Sequence, residues 1–240
     1  MSTFVLVHGG CHGAWCWYRL VPLLEAAGHR VITPDLPGHG IDRTPLKGLT
    51  QHNYADVVES VLRSLDEPAV LVGHSMSGMT VSLVAERCPE RIGTLIYLSA
   101  TVLNGGRSMM TDPALAANFA ALGSAMHADE DNDVLISDPE ASAPYFYSGC
   151  DPADIALAAR LLSPEPVGAF ATPINVTDSR YGSVRRAAVI TLEDFILPVD
   201  LQRAMYAEDG IVDIAMLPTG HSSFFSAPES LALELQRLAG

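Results

Sequence analysis

The chain has 240 residues, with 14 basic and 28 acidic side chains, so its formal net charge at neutral pH is −14. A protein this acidic is repelled by nucleic-acid phosphates and by anionic membrane surfaces unless it carries a basic patch. The only adjacent basic residues are Arg185 and Arg186, so neither a nucleic acid nor a membrane is expected as a partner. With 48% hydrophobic and 18% charged residues, the composition is that of a folded globular protein. The sequence shows no recognisable secretory signal or membrane span, and 4 cysteines are too few for a disulfide framework, so a cytoplasmic protein is predicted.

Short apolar runs alternate with amphipathic stretches along the first hundred residues. Strands are predicted at residues 4–8, 31–34, 69–72 and 94–99, and helices at residues 14–27, 54–65 and 76–88. The same rhythm returns near the C-terminus, with strands predicted at residues 187–191 and 211–216 and a helix at residues 228–238. Continuous apolar strands that alternate with helices are typical of a parallel sheet covered on both faces. The fold class is therefore α/β.

Between residues 104 and 181 this rhythm breaks. The segment is rich in alanine, proline and serine, and it carries 11 acidic side chains against 3 basic ones. Helices are predicted within it at residues 113–126 and 152–162. We interpret the segment as a helical cap inserted into a core formed by residues 1–103 and 182–240. Its acidity favours a neutral or weakly cationic substrate over a polyanionic one.

Residues 73–78, with the sequence Gly-His-Ser-Met-Ser-Gly, follow an apolar strand and precede an apolar helix. That context is typical of a nucleophile elbow, in which a serine occupies a sharp strand-to-helix turn. The N-terminus of the following helix stabilises negative charge near that serine. Ser75 is therefore the predicted nucleophile. The usual pattern G-x-S-x-G has its second glycine where this chain has Ser77, and Gly78 follows one position later.

A serine nucleophile needs a base, which is itself oriented by an acid. In folds with such an elbow the chain order is serine, acid, histidine, and the last two lie on loops after late strands. His221 follows the last predicted strand and is the predicted base. Asp194 follows the strand before it and is the predicted acid. Glu193 and Asp200 are its rivals, although a shift of one residue reverses the direction of a side chain.

The glycine-rich segment at residues 8–13 follows the first predicted strand. Glycines there allow a backbone N–H to approach the carbonyl oxygen of a substrate. The N–H groups of Gly10 and Met76 are predicted to form an oxyanion hole, where each donor contributes about 3 kcal/mol to the transition state.

The same segment superficially resembles a metal site, because it brings together His8, Cys11, His12 and Cys16. A zinc site would need ligand pairs on two arms, and the sequence offers no second cluster of cysteine and histidine. The cysteines are therefore interpreted as packing residues, and neither a metal nor a cofactor is predicted.

Together these segments resemble the α/β-hydrolase superfamily, and within it the plant methylesterase and hydroxynitrile lyase group and its bacterial esterase relatives. The resemblance is carried by residues 4–13, the tryptophans at 15 and 17, residues 22–29 and 34–36, the elbow, and the segments around Asp194 and His221. It implies a mostly parallel six-stranded sheet, a helical cap over the active site, no cofactor and, in many members, a homodimer. The positions that match the family's triad and oxyanion donors are Ser75, Asp194, His221, Gly10 and Met76.

Two positions separate the two chemistries of this group. The lyases carry threonine where Gly9 stands and lysine where Ser222 stands, and both are missing here. The resemblance thus implies a serine esterase that cleaves a small carboxylic ester of an apolar acid, such as a methyl ester, through an acyl-enzyme. The side chains expected to line the substrate pocket are Gly9, Met109, Met110, Phe119, Leu122, Met126, Tyr145, Phe146 and Tyr147.

Other functions stay open at this point. The same triad could support lyase-like cleavage of a C–C bond, another non-hydrolytic biosynthetic step, or hydrolysis of a lactone or amide. The fold also occurs in small-molecule receptors with vestigial activity. An intact set of triad residues favours an enzyme, because a receptor tolerates the loss of one of them.

Overall fold

The computed structural model describes residues 1–240, except for the side chain of Ser124. The strands are β1 (Thr3–Val7), β2 (Arg30–Ile32), β3 (Ala69–His74), β4 (Ile92–Leu98), β5 (Met126–Asp129), β6 (Val134–Ser137), β7 (Glu165–Pro166), β8 (Arg186–Thr191) and β9 (Asp213–Leu217). The helices are α1 (Leu20–Ala26), α2 (Gln51–Arg63), α3 (Ser77–Arg87), α4 (Pro113–Ala121), α5 (Pro139–Phe146), α6 (Pro152–Leu161), α7 (Val167–Ala171), α8 (Val199–Glu208), α9 (Ser223–Ser226) and α10 (Pro228–Ala239).

The central sheet has six parallel strands in the order β2-β1-β3-β4-β8-β9. Every residue of β3 is buried, so both faces of the sheet are covered, with α1 packed against α10 and α2 against α3. The predicted α/β-hydrolase architecture is confirmed. None of the helices in the described chain combines the length and apolarity needed to cross a bilayer.

The strand order reverses between β1 and β3, which are neighbours in the sheet. In open parallel sheets, ligands bind beside such a reversal, at the carboxyl ends of the strands. The loop after β1 and the turn after β3 therefore meet at one edge, and they carry Gly10 and Ser75.

The predicted helix at residues 14–27 is divided in two. A 3-10 turn occupies Ala14–Trp17, and α1 begins at Leu20. Pro22 explains the break, because proline has no N–H and its ring clashes with the carbonyl four residues earlier inside a helix. A helix that begins at Leu20 places Pro22 in the first turn, where the N–H groups have no intrahelical partner.

The segment at residues 104–181 contains a three-stranded antiparallel sheet, β5-β6-β7, where only helices were predicted from the sequence. The predicted helix at residues 113–126 ends at Ala121. Gly123 follows with a φ of 52°, a left-handed conformation that ends a helix, and Met126 begins β5. All six strands of the central sheet lie outside this segment.

Three helices of the same segment begin with an aspartate followed by a proline. The side chains of Asp112, Asp138 and Asp151 accept hydrogen bonds from backbone N–H groups of α4, α5 and α6. An N-cap aspartate satisfies an otherwise unpaired donor, and proline suits the first helical position. Part of the acidity of the segment thus has a local structural cause.

Candidate active site

Ser75 occupies a strained turn between β3 and α3. Its φ is 55°, a left-handed conformation that costs a non-glycine residue about 1 kcal/mol or more. The Ser75 carbonyl accepts hydrogen bonds from the backbone N–H groups of Gly78 and Thr101, at 3.1 and 3.0 Å. These bonds stabilise the geometry expected of a nucleophile elbow.

The close backbone approach at the elbow occurs at Gly78. A Cβ there would lie 2.1 Å from the carbonyl oxygen of Thr101. Position 77 has room for a side chain, and the Ser77 hydroxyl donates a hydrogen bond to the carbonyl of His8. Serine in place of the second glycine of G-x-S-x-G is therefore compatible with the sharp turn. The hydrogen bond of Ser77 also connects the elbow to the loop after β1.

Asp194 and His221 meet at the carboxyl ends of β8 and β9. Nδ1 of His221 lies 2.8 Å from Oδ2 of Asp194, and both side chains are buried. The Thr191 hydroxyl donates to the same oxygen at 2.9 Å. The backbone N–H groups of Ile196 and Leu197 each donate to Oδ1 at 2.8 Å. The carboxylate is thus fixed in place against the imidazole.

The two rival acids lie elsewhere. The Glu193 side chain is exposed, because consecutive residues point in opposite directions. The Asp200 side chain is 94% exposed and pairs with Arg203 at 3.9 Å. Of the three candidates, the structure brings Asp194 to His221.

Nε2 of His221 is buried and has no hydrogen-bond partner among the described residues. Since Nδ1 faces a carboxylate, it carries the ring proton of the neutral imidazole, and Nε2 is free to accept one. Catalytic hydrogen bonds are often formed only once substrate is bound.

His74, the residue before Ser75, packs against His221. The two ring centroids are 4.6 Å apart, and Nε2 of His74 donates to the His221 carbonyl at 3.1 Å. Burial lowers the pKa of His74 well below its ordinary value, and the neighbouring His221 lowers it further. His74 is therefore a neutral support for the His221 backbone, and only its position before Ser75 signals this.

Gly10 and Met76 line one cavity with Ser75. Within the described chain, neither of their backbone N–H groups donates a hydrogen bond to another protein group. Gly9 lies behind them, where a Cβ would approach both the Ser75 Cβ and the His74 Nδ1 to 2.9 Å. The pair of unpartnered donors beside a strained serine has the layout of an oxyanion hole.

The cavity above Ser75 is small and mostly apolar, with a volume of about 30 Å³. The residues that line it are Gly10, Cys11, Ser75, Met76, Thr101, Met109, Leu115, Asn118, Phe119, Leu122, Met126, Phe146, Phe170, Ile196 and Leu197. Its few polar side chains are Ser75, Thr101 and Asn118, so the ligand it suits is a small apolar molecule with one polar centre.

The sequence signature described as the Alpha/beta hydrolase family matches residues 4–234. The chain belongs to this family. The hydrolase is 33% identical to Salicylic acid-binding protein 2 of Nicotiana tabacum in an alignment of 255 positions that covers 98% of this chain and 96% of that protein. It is 32% identical to Methylesterase 1 of Arabidopsis thaliana in an alignment of 249 positions that covers 95% of this chain and 92% of that protein.

Solved structures similar to this chain also include an esterase. The crystal structure of polyneuridine aldehyde esterase covers 100% of both chains with a TM-score of 0.86 and 29% sequence identity. The family resemblance and the enzyme class predicted from the sequence, a carboxylic ester hydrolase, are confirmed.

Five of the predicted pocket residues of the hydrolase line the cavity: Met109, Phe119, Leu122, Met126 and Phe146. The other four, Gly9, Met110, Tyr145 and Tyr147, lie outside it. Gly9 is pressed against the elbow, and Met110 is 54% exposed on a turn before α4. Tyr145 packs partly buried against the core, and the Tyr147 hydroxyl donates to Nε2 of His12 at 2.8 Å.

Lining residues that were not predicted from the sequence come from the loops after β1, β4 and β8 and from helices α4 and α7. They are Cys11, Thr101, Leu115, Asn118, Phe170, Ile196 and Leu197. Ile196 and Leu197 lie two and three residues after Asp194, so their place in the chain beside the predicted acid was the available signal. Phe170 contacts Phe119 edge to face, with 4.9 Å between ring centroids, and only the folded chain shows this pair.

The histidines of the glycine-rich loop hold backbone groups. Nδ1 of His8 donates to the Gly9 carbonyl at 2.9 Å, and its Nε2 accepts from the Leu36 N–H at 3.1 Å. Nδ1 of His12 donates to the Gly10 carbonyl at 2.7 Å. In the described part of the chain, no group of three histidine, cysteine, aspartate or glutamate side chains is arranged to hold a metal ion.

Proposed function

We propose that the hydrolase cleaves small carboxylic esters of apolar acids through Ser75, His221 and Asp194. The observation that carries this proposal is the 2.8 Å contact between Asp194 and His221, which leaves Nε2 of the histidine unpartnered. An imidazole oriented in this way is a general base for a serine hydroxyl.

In the proposed reaction, Nε2 of His221 takes the proton of Ser75, and the serine oxygen attacks the ester carbonyl carbon. The N–H groups of Gly10 and Met76 stabilise the oxyanion that forms. The C–O bond to the alcohol then breaks, and His221 donates its proton to the departing alcohol oxygen. Water repeats these steps on the acyl-enzyme, which releases the acid and restores Ser75.

The surroundings of the site favour an ester over a cyanohydrin. The residue after His221 is Ser222, which is buried and carries no positive charge for a departing cyanide. Gly9 has no hydroxyl, and a Cβ at this position would lie 2.9 Å from the Cβ of Ser75. Methyl esters are the first substrates to test, because one relative is named a methylesterase.

The small apolar cavity sets the expected substrate size. At about 30 Å³ it accepts little more than a short acyl chain without movement of its walls. We therefore expect short-chain aryl esters and methyl esters of small apolar acids to be hydrolysed, and charged or bulky acyl groups to be poor substrates.

The test is ester turnover by wild type, Ser75→Ala and the control Ser64→Ala, whose serine is exposed on the C-terminus of α2. Wild type and Ser64→Ala are expected to hydrolyse aryl acetates and to react with a fluorophosphonate at one serine. Ser75→Ala is expected to do neither. Equal turnover by all three proteins would show that Ser75 is not the nucleophile.

A further inference from the structure

Glu165 is a fully buried carboxylate of β7 that reaches the loop after β1. Its Oε2 accepts a hydrogen bond from the Cys11 N–H at 2.6 Å and lies 2.9 Å from Nε2 of His39. Its Oε1 accepts the Tyr54 hydroxyl at 2.7 Å. Burying a carboxylate costs free energy unless the carboxylate is paired. Here the Cys11 N–H, His39 and Tyr54 all contact Glu165, which apolar packing would not require.

His39 neutralises this carboxylate. Nδ1 of His39 lies 3.0 Å from the Pro37 carbonyl and Nε2 lies 2.9 Å from Glu165, so both ring nitrogens face acceptors and both carry protons. Burial lowers the pKa of His39, but the charge and the hydrogen bond of Glu165 outweigh burial and raise it. The carboxylate thus lies beside the oxyanion hole with its charge compensated.

The carboxylate also fixes one peptide group. The peptide that joins Gly10 to Cys11 donates its N–H to Glu165 at 2.6 Å, and its carbonyl accepts from Nδ1 of His12 at 2.7 Å. Both ends of the peptide are therefore held, and rotation of its plane would turn a carbonyl towards a carboxylate. Cys11 has a φ of 63°, a left-handed conformation that needs such support.

The neighbouring groups show how close this support is to the site. A Cβ on Gly10 would lie 3.3 Å from Oε2 of Glu165, and Gly10 lines the cavity beside Ser75. The Cys11 carbonyl accepts from the backbone N–H of Ser163, two residues before Glu165, at 2.9 Å. The segment at residues 163–165 therefore holds both backbone polar groups of Cys11 within the glycine-rich loop.

We propose that Glu165 is a positioning residue for the oxyanion hole: it holds the Gly10–Cys11 peptide so that the Gly10 N–H faces the substrate carbonyl oxygen. The proposal rests on the proposed function and deepens it. Glu165 acts through the loop, so it affects the transition state, where the oxyanion forms, more than the binding of the ester.

The test compares three substitutions of Glu165. Glu165→Gln keeps an acceptor for the Cys11 N–H and removes the charge, so kcat is expected to fall by less than about threefold. Glu165→Asp keeps the charge but is one methylene too short, and Glu165→Ala removes the acceptor. Both are expected to lose about 10- to 100-fold in kcat, with KM within about threefold of wild type. The Gln and Asp pair decides the outcome even where the alanine variant does not fold.

Asp154→Ala is the matched control. Asp154 is an equally buried carboxylate of the same segment, and it accepts from the Tyr18 hydroxyl and from Arg19 at 3.0 Å. Its loss is expected to lower the melting temperature without changing kcat. The Ki of a trifluoromethyl ketone, whose adduct with the nucleophile carries an oxyanion, should rise in Glu165→Asp in proportion to the loss of kcat/KM. An Asp variant as active as wild type, a Gln variant as poor as Asp, or an equal loss in Asp154→Ala would overturn the proposal.

Fluorophosphonate titration separates this proposal from the proposed function. Wild type and Glu165→Asp are both expected to be labelled to completion at one serine, the variant more slowly. If Ser75→Ala is labelled as well, the proposed function fails, whatever the Glu165 variants do. If only Ser75→Ala resists labelling and the Glu165 variants match wild type in rate, the positioning role alone fails.

Discussion

Oδ2 of Asp194 lies 2.8 Å from Nδ1 of His221, although the two residues are 27 positions apart in sequence. The carboxylate also accepts the Thr191 hydroxyl and two backbone N–H groups. It cannot turn from the imidazole without leaving buried donors unpaired. The contact therefore selects the tautomer of His221, with the proton on Nδ1 and the lone pair on Nε2.

Replacing the acid by its amide tests this relationship. In Asp194→Asn the side chain can present an N–H to Nδ1, which favours the wrong tautomer, so kcat is expected to fall about 10⁴-fold. Glu193→Gln is the control, because Glu193 is exposed. It is expected to keep the activity of wild type. A large loss in Glu193→Gln and a small one in Asp194→Asn, measured as steady-state turnover of an aryl acetate, would transfer the role of the acid to Glu193.

The elbow gives a prediction about stability. Gly78→Ala places a Cβ 2.1 Å from the Thr101 carbonyl oxygen, so the free energy of unfolding in urea is expected to fall by about 2–3 kcal/mol. Ser77→Ala removes one buried hydrogen bond to His8 and is expected to cost about 1 kcal/mol. In Gly93→Ala the new Cβ would lie 3.8 Å from its nearest neighbour, the Ala69 carbonyl oxygen, which makes it a mild control. Equal losses in the two glycine variants would contradict the steric argument.

The elements that the sequence predicted correctly are those with a local signature. The strand, turn and helix around Ser75 are adjacent in the chain, so their apolar pattern and small residues suffice. The order of Ser75, Asp194 and His221 follows from the chain order typical of folds with a nucleophile elbow. β8 ends at the predicted residue and β9 one residue later. The elbow departs from the usual pattern only in which of two consecutive positions needs glycine.

The missed features depend on contacts between distant parts of the chain. Glu165 has partners 111 to 154 residues away, and nothing in the sequence around it indicates that it is buried. The acidity of residues 104–181 favours a neutral or weakly cationic substrate only where the carboxylates are exposed, yet Glu165 and Asp154 are buried there. Whether a carboxylate contributes to the surface charge or to a buried hydrogen-bond network depends on its burial, and burial cannot be deduced from composition.

The free energy of unfolding of the hydrolase should begin to fall below pH 6.5, at a higher pH than that at which most carboxylates become protonated. Burial lowers the pKa of His12 from 6.5 to about 4, and it lowers those of His8 and His74 well below 6.5. The folded state favours the neutral rings, so their contribution to stability is present above 6.5 and is lost as pH falls towards 4. For His12 alone this loss is about 3 kcal/mol. His39, with its raised pKa, acts in the opposite direction and contributes fully below 6.5.

Urea unfolding at several pH values checks this slope. In His12→Asn the side chain can still donate to the Gly10 carbonyl but no longer titrates, so stability should fall less steeply between pH 6.5 and 4 than in wild type. His127→Asn is the control, because His127 is exposed, and its slope should equal that of wild type. A slope in His12→Asn as steep as the wild-type slope would contradict the assignment.

The size of the cavity should determine the preferred length of the acyl chain. Leu122 is 4% exposed and lines the cavity at the C-terminus of α4. Leu122→Ala removes three carbons from the wall, so the ratio of kcat/KM for p-nitrophenyl hexanoate to that for the acetate should rise by up to about 60-fold, at roughly 0.8 kcal/mol for each of up to three methylenes that the new space buries. Leu161→Ala makes the same change at a residue that is 39% exposed and outside the cavity, and it should leave the ratio unchanged. An unchanged ratio in Leu122→Ala, or the same rise in both variants, would show that the acyl chain binds elsewhere.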